Sequence, residues 1–112
     1  MADPQVTVAM GVFNPDQDRF LQAVNSIIGQ SFQNWELLLY DDGSEAAAAG
    51  IIRRAAELDH RIRCIRGQHN HGLAHALNEC IRRAAGAYIA RMDDDDIARR
   101  DRLEKQVSFL ET

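Results

Sequence analysis

No apolar run in this chain approaches the ~18 residues that a bilayer-spanning helix requires, so no transmembrane segment is expected. The opening residues, Met1-Ala2-Asp3-Pro4, carry neither a basic region nor an apolar signal core. The expected location is cytoplasmic, free or peripheral at the inner membrane face. Cysteine is scarce: Cys64 and Cys80 lie in apolar surroundings, match no metal-ligand spacing, and read as small buried hydrophobes in a reducing compartment. A formal net charge of −4 makes the chain no electrostatic match for DNA or RNA, and no nucleic-acid partner is expected. Three phosphate or nucleophile signatures are also missing. There is no G-x-G-x-x-G after the first apolar run, no G-x-x-x-x-G-K-[ST], and no G-x-S-x-G. A phosphate, if bound, must be held by a metal or by helix ends.

What is present describes a folded domain. Hydrophobic residues make up 46% and charged residues 27% of 112 positions, enough for one core and no more than one domain. Val6–Val12 reads as a buried strand ended by Asn14-Pro15. Asp16 is placed to cap a helix carrying Phe20, Leu21, Val24, Ile27 and Ile28 at helical spacing. Trp35–Tyr40 is a second apolar strand, stopped by Asp41-Asp42-Gly43-Ser44, and Ser44 is expected to cap a helix running to about Asp59. Ile62–Arg66 is a third strand. After the loop Gly67–Gly72, a helix carries Leu73, Ala76, Leu77, Cys80, Ile81 and Ala84, with Gly86 as its stop. Ala87–Met92 is a fourth strand, and a last helix places Leu103, Val107 and Leu110 on one face. Apolar strands alternating with helices predict an α/β fold: a Rossmann-like, doubly wound, mainly parallel sheet with helices on both faces.

In such sheets ligands bind outside the carboxyl ends of the strands. Those ends carry Phe13-Asn14, Asp41-Asp42-Gly43-Ser44, the loop 67–72 and Asp93-Asp94-Asp95-Asp96. Four consecutive carboxylates repel one another, at a cost on the order of 1 kcal/mol per close pair in a partly desolvated cleft. An acidic turn facing solvent needs no ligand, but this one sits at the ligand edge. Hard carboxylate oxygens there suit Mg²⁺ or Mn²⁺ bridging to a diphosphate. Of Asp41 and Asp42, one is expected to serve the turn and the other to accept a hydrogen bond from a base imide or ribose hydroxyl. Phe13 is placed to stack on a nucleobase or to serve as a core residue. His69, Asn70, His71 and Gly72 precede a helix N-terminus whose free amides favour phosphate. His69, His71 and His75 lack a zinc-site pattern.

Taken together, the segments Val6–Asn14, Leu37–Ser44, Asn70-His71-Gly72-Leu73 with Asn78, Gly86–Asp96 and Arg102–Gln106 resemble the N-terminal portion of a family 2 glycosyltransferase of GT-A fold. The resemblance spans almost the whole chain in correct order. It implies that Asp41 and Asp42 contact the base and ribose of a nucleotide-diphosphate sugar, by default a uridine diphosphate sugar. Gly11, Val12 and Phe13 would wall the base, with Phe13 where the family often has Tyr. Asp93-Asp94-Asp95 would overlay the D-x-D motif. In that overlay Asp95 is a ligand of Mn²⁺ or Mg²⁺, Asp93 shares the metal or the nucleotide, Asp94 approaches ribose or phosphate, and Asp96 extends the cluster. The implied reaction is inverting transfer of the sugar to the hydroxyl of a glycan or lipid-linked acceptor. Residues 1–112 would then be one nucleotide-sugar-binding domain that stops before the acceptor half. The catalytic base is expected beyond Thr112, and no catalytic residue is assigned within the chain.

Two other classes meet the same residues. A nucleotide- and metal-binding module that transfers nothing unaided would share every motif. A receiver-type signalling domain would require one phosphorylatable Asp and a lysine at a later strand end, whereas the single lysine, Lys105, falls in a predicted helix. An apolar fourth strand at the sheet edge would also favour self-association.

Overall fold

The computed structural model describes residues 3–112. Four strands and four helices alternate: β1 Val6–Val12, α1 Gln17–Ile28, β2 Trp35–Asp42, α2 Ala46–Ala55, β3 Ile62–Gly67, α3 Leu73–Arg83, β4 Tyr88–Arg91 and α4 Arg102–Glu111. The strands form one sheet in the order β3-β2-β1-β4, every pair parallel. The chain therefore winds outward from β1 through β2 to β3, then crosses back to lay β4 on the other side of β1. The expected α/β class and parallel sheet are borne out. The point where strand order reverses lies between β1 and β4, which is where such sheets bind ligands.

The period-2 alternation of the strands divides the core between the two faces. Val6, Val8, Met10, Leu37 and Leu39 face α1, α2 and α4, joining Phe20, Val24, Ile27, Ile52, Leu103 and Val107 in the larger cluster. Ala9, Leu38 and Tyr40 face α3 and pack on Ala76 and Cys80. Small residues on this second face let α3 lie close: a Cβ on Gly11 would stand 3.0 Å from both the Ala76 Cβ and the Leu73 Cδ1.

A buried polar clasp fixes the amino ends of the strands. Thr7 Oγ1 donates to Glu36 Oε2 at 2.6 Å, and the same carboxylate oxygen accepts from the Ala85 amide at 2.6 Å. The Gly86 amide in turn donates to Thr7 Oγ1 at 2.9 Å. Here the structure corrects the sequence reading, because α3 ends at Arg83 and Gly86 is not its stop. Gly86 is needed for close approach: a Cβ there would fall 2.5 Å from the Thr7 amide nitrogen.

Two further boundaries differ. The helix after β2 ends at Ala55, not near Asp59, and Ser44 does not cap it. The amide of its N-cap residue, Glu45, is met from another loop. Asn14 Oδ1 accepts from the Glu45 amide at 2.9 Å, while Ser44 Oγ accepts from the Asn14 amide at 2.9 Å. Asn14 takes a left-handed φ of 42° to make this exchange, a conformation Asn tolerates better than most residues. Asp16 does cap α1 as expected, accepting from the Arg19 amide at 3.0 Å.

Candidate functional site

The strand that was expected to stop at Tyr40 continues through Asp41 and Asp42, and this extension decides what each aspartate does. Alternation sends the two side chains to opposite faces of the sheet. Asp41 is paired across the ladder with Arg66. Its carboxylate is 1% exposed, forms an ion pair with that guanidinium, and accepts from the Ser44 amide at 2.9 Å. Asp41 is thus a satisfied buried anion and lines no part of the cleft described below. Asp42 turns toward α3, where Oδ1 accepts from the His71 amide at 3.1 Å and Oδ2 from the Gly72 amide at 2.8 Å. These bonds pin the loop ahead of α3 against the end of β2. Gly43, at φ 79°, permits the approach, since a Cβ there would meet the His69 backbone at 2.6 Å.

A cleft of about 220 Å³ opens at the switch point, lined by Gly11, Val12 and Phe13 from β1, Asp42 from β2, Asn70, Gly72, Leu73 and Ala76 around the start of α3, and Asp94 after β4. The predicted segment Gly11–Phe13 and two of the predicted aspartates therefore meet in one concavity. No side chain lining it is cationic. Phe13 is half exposed at its rim rather than part of the core. Gly72, at φ 96°, gives α3 no side-chain cap, so the first amides of the helix keep their free donors and partial positive charge.

The acidic turn splits in two. Asp93, Asp95 and Asp96 are exposed, and one carboxylate oxygen from each lies within 4.8 Å of the others. Asp94 instead points into the cleft, half-buried, and its carboxyl is held above the usual range by burial and then by Asp95, Asp93 and Asp96. Three hard oxygen donors brought together, with no cationic partner among the described residues, are the donor set that Mg²⁺ or Mn²⁺ takes, so these residues fit such an ion. The metal pair expected from sequence, Asp93 and Asp95, is brought together with Asp96 as a third member. Asp93 does not line the cleft.

Nearby histidines cluster against Tyr40, which meets His75 edge-on. The His71 and His75 ring centroids are 4.7 Å apart, and the Tyr40 hydroxyl lies 3.3 Å from His75 Nε2. Burial, then Glu79 and Asp42, raises the Tyr40 phenol above its ordinary value. Cys80, buried beneath the same helix, has its thiol pushed up to about 11 by burial and is no nucleophile there. Cys64, half-buried, is raised for the same reason. Sequence reasoning placed Asn14 at the ligand edge without a role, and it read Arg66, the partner of Asp41, only as the last residue of a strand.

The chain resembles proteins already known. The family model described as "Glycosyl transferase family 2" matches residues 7–112. Two proteins of Bacillus subtilis (strain 168) are similar: "Putative glycosyltransferase EpsE", 44% identical over 96% of this chain and 39% of its own length, and "Putative teichuronic acid biosynthesis glycosyltransferase TuaG", 35% identical over 96% of this chain and 42% of its own. The chain thus spans about two fifths of these relatives. Among solved structures, a mannosyltransferase from Pyrobaculum calidifontis, in complex with GDP-Man and Mn²⁺, superposes with a TM-score of 0.86 at 26% identity over 99% of this chain and 33% of its own. S. aureus TarS in complex with UDP-GlcNAc shares the fold, with a TM-score of 0.82 at 19% identity over 96% of this chain and 31% of that one. With a match running from β1 to the end of α4, and with the GT-A arrangement of strands and cleft in place, the chain belongs to glycosyltransferase family 2.

Proposed function

We propose that this chain is the donor-binding part of a metal-assisted glycosyltransferase, holding a nucleotide-diphosphate sugar at the β1/β4 switch point. The observation that carries the reading is the division of the acidic turn, with one carboxylate in the cleft and three grouped outside it. A cleft with two carboxylates and no cation repels phosphate and accepts hydrogen bonds. It suits the nucleoside, with Phe13 at the base, Asp42 accepting from a base or ribose donor, and Asp94 accepting from a ribose hydroxyl. The diphosphate then lies outside, between the grouped Asp93, Asp95 and Asp96 and the uncapped start of α3. Mn²⁺ or Mg²⁺ held there would neutralise charge on the departing diphosphate. That the solved mannosyltransferase, at 26% identity, is described with GDP-Man and Mn²⁺ supports both ligands.

In the transfer itself, the bond from the anomeric carbon to the diphosphate oxygen breaks as an acceptor hydroxyl oxygen bonds to the opposite face, inverting that carbon. The proton of the hydroxyl passes to a base, and we assign no base among these residues. A glycan or lipid-linked hydroxyl is the proposed acceptor, and the cytoplasm the proposed location. No helix among the described residues is long and apolar enough to cross a membrane. The β4 edge is proposed to drive self-association of the chain on its own.

Calorimetric titration with uridine and guanosine diphosphates, each with and without Mn²⁺, tests the reading on wild type and Asp95→Ala. Metal-dependent binding of one nucleotide, weakened at least about tenfold in the variant, is expected. Failure of both nucleotides to bind a folded wild-type chain in Mn²⁺ would overturn it.

A further inference from the structure

Four carboxylates that repel one another do not hold a shape unaided, so the frame around Asp93–Asp96 matters as much as the aspartates. Upstream, the turn is tied to the sheet: the Met92 amide donates to Ala9 O at 3.0 Å, and Met92 is buried. Downstream, residues 97–101 form no regular structure before α4 begins at Arg102. Besides local bonds such as the Arg102 amide to Arg99 O at 3.0 Å, their backbone finds partners at the carboxyl end of α1. Ser26 Oγ accepts from the Ala98 amide at 2.9 Å. The Ser31 amide donates to Arg100 O at 2.8 Å.

The centre of this clasp is Gln30, a fully buried amide at 1% exposure. Its Nε2 donates to Arg99 O at 2.6 Å and to Ser26 O at 3.1 Å, and its Oε1 accepts from the Leu103 amide at 3.0 Å. One side chain thus satisfies the strap that leaves the acidic turn and the first turn of the helix that follows. Burying an amide costs several kcal/mol unless its groups are paired, and at Gln30 they are paired across 69 and 73 residues of sequence.

We propose that Gln30 is a positioning residue for the metal-binding turn: by fixing residues 98–103 against α1 it sets the separation of the Asp93, Asp95 and Asp96 carboxylates and thereby the affinity for the ion. Ser26 assists through Ala98, two residues after Asp96. This rests on the reading that the turn holds a divalent cation. It adds to that reading a residue just beyond α1 that lines no part of the cleft.

The test is binding of Mn²⁺ alone to the full chain, followed by the electron paramagnetic resonance signal of the free ion, with melting temperature measured alongside. Gln30→Leu keeps the bulk and loses all three bonds. Gln30→Glu keeps the acceptor for Leu103. Ser26→Ala is a milder cut in the same clasp, and Ile52→Ala destabilises the same core from α2, away from the turn. Supporting-residue losses typically weaken metal binding about 10–100-fold, so Gln30→Leu is expected to lose at least about tenfold in Mn²⁺ affinity. Ser26→Ala should lose roughly threefold, and Ile52→Ala nothing at a comparable or lower melting temperature. If Gln30→Leu does not fold, the Ser26→Ala and Ile52→Ala comparison decides alone. Unchanged affinity in the clasp variants, or an equal loss in Ile52→Ala, overturns the proposal while leaving the metal site standing. A wild-type chain that binds no Mn²⁺ removes the site reading itself and the proposal with it.

Discussion

Adjacent aspartates here carry different burdens because each points a different way. Asp94 is the clearest case: half-buried, facing the cleft, its carboxyl raised by desolvation and by its three neighbours. A carboxyl whose folded pKa is raised takes up protons on folding, so its ionised form subtracts from stability above the ordinary carboxylate range. That loss is recovered as pH falls through the raised value. Asp94→Asn removes the charge and is therefore expected to stabilise the metal-free chain at neutral pH, by roughly 0.5 kcal/mol given partial solvation. A small rise in melting temperature without metal checks this. The same substitution weakens one charge-assisted bond in the proposed nucleoside contact. Nucleotide affinity in Mn²⁺ should fall about tenfold, since such bonds contribute roughly 1.5–3 kcal/mol. A variant that melts lower without metal would contradict the assigned direction, and Asp41→Asn offers the contrast. Asp41 already has the Arg66 guanidinium as partner, so neutralising it should destabilise, because the arginine loses its buried counter-charge.

Among elements, β1 and β2 meet α2 through the Asn14–Ser44 exchange, and this junction holds the carboxyl ends of two strands in register at the cleft. Asn14→Ala loses the trans cap on Glu45 and places Ala at a φ that L-residues resist. The two effects cost about 1 kcal/mol each. Asn14→Gly loses only the cap, so urea midpoints should rank wild type above Gly above Ala. A Gly variant as unstable as Ala would show that the φ is unimportant. This junction also marks how far the sequence could be read. Val6–Val12 was legible to the residue because it is a short run rich in β-branched residues and closing on Asn-Pro. Asp16 was legible as a cap because its partner, Arg19, is three residues away. Ser44 looked equally good by local rules and was wrong, because its partner and its replacement both lie 30 or more residues upstream. Gly86 was misread for the same reason, since its constraint comes from Thr7, far upstream. The clustering of Gly11–Phe13, Asp42 and Asp94 followed from the strand-end rule. Which of Asp41 and Asp42 faces the cleft did not, because it turned on β2 continuing two residues past its last apolar position. Gln30 was invisible for the reason that makes it useful: its long-range partners are backbone atoms, Arg99 O in an irregular strap and the Leu103 amide in the first turn of α4.

The molecule as a whole is lopsided. Three helices cover one face of the sheet and one covers the other, and β4, only four residues long, pairs among the described residues with β1 alone. Beside that open edge lies a groove of about 530 Å³ running between β4 and α4. Ile89, Leu110 and Phe109 are exposed along it by 43%, 53% and 80%. Edge strands with unpaired backbone groups and flanking apolar surface recruit other chains. Burying one Leu or Phe side chain contributes roughly 1.5–3 kcal/mol. Against this stand the cations at the groove, Arg91, Arg102 and Lys105. Lys105 has Asp101 as partner at 3.1 Å, whereas Arg91 and Arg102 make no ion pair among the described residues. Two copies meeting edge to edge would bring these charges together, so salt should screen the repulsion and leave the apolar contact. Sedimentation of the chain alone is expected to show concentration-dependent association that strengthens as salt is raised. Phe109→Glu with Leu110→Glu is expected to abolish it without changing the fold, because both side chains are exposed in the single chain. A chain that stays monomeric across the concentration range would remove self-association. Association that weakens with salt would instead move the contact from this groove to a charged surface.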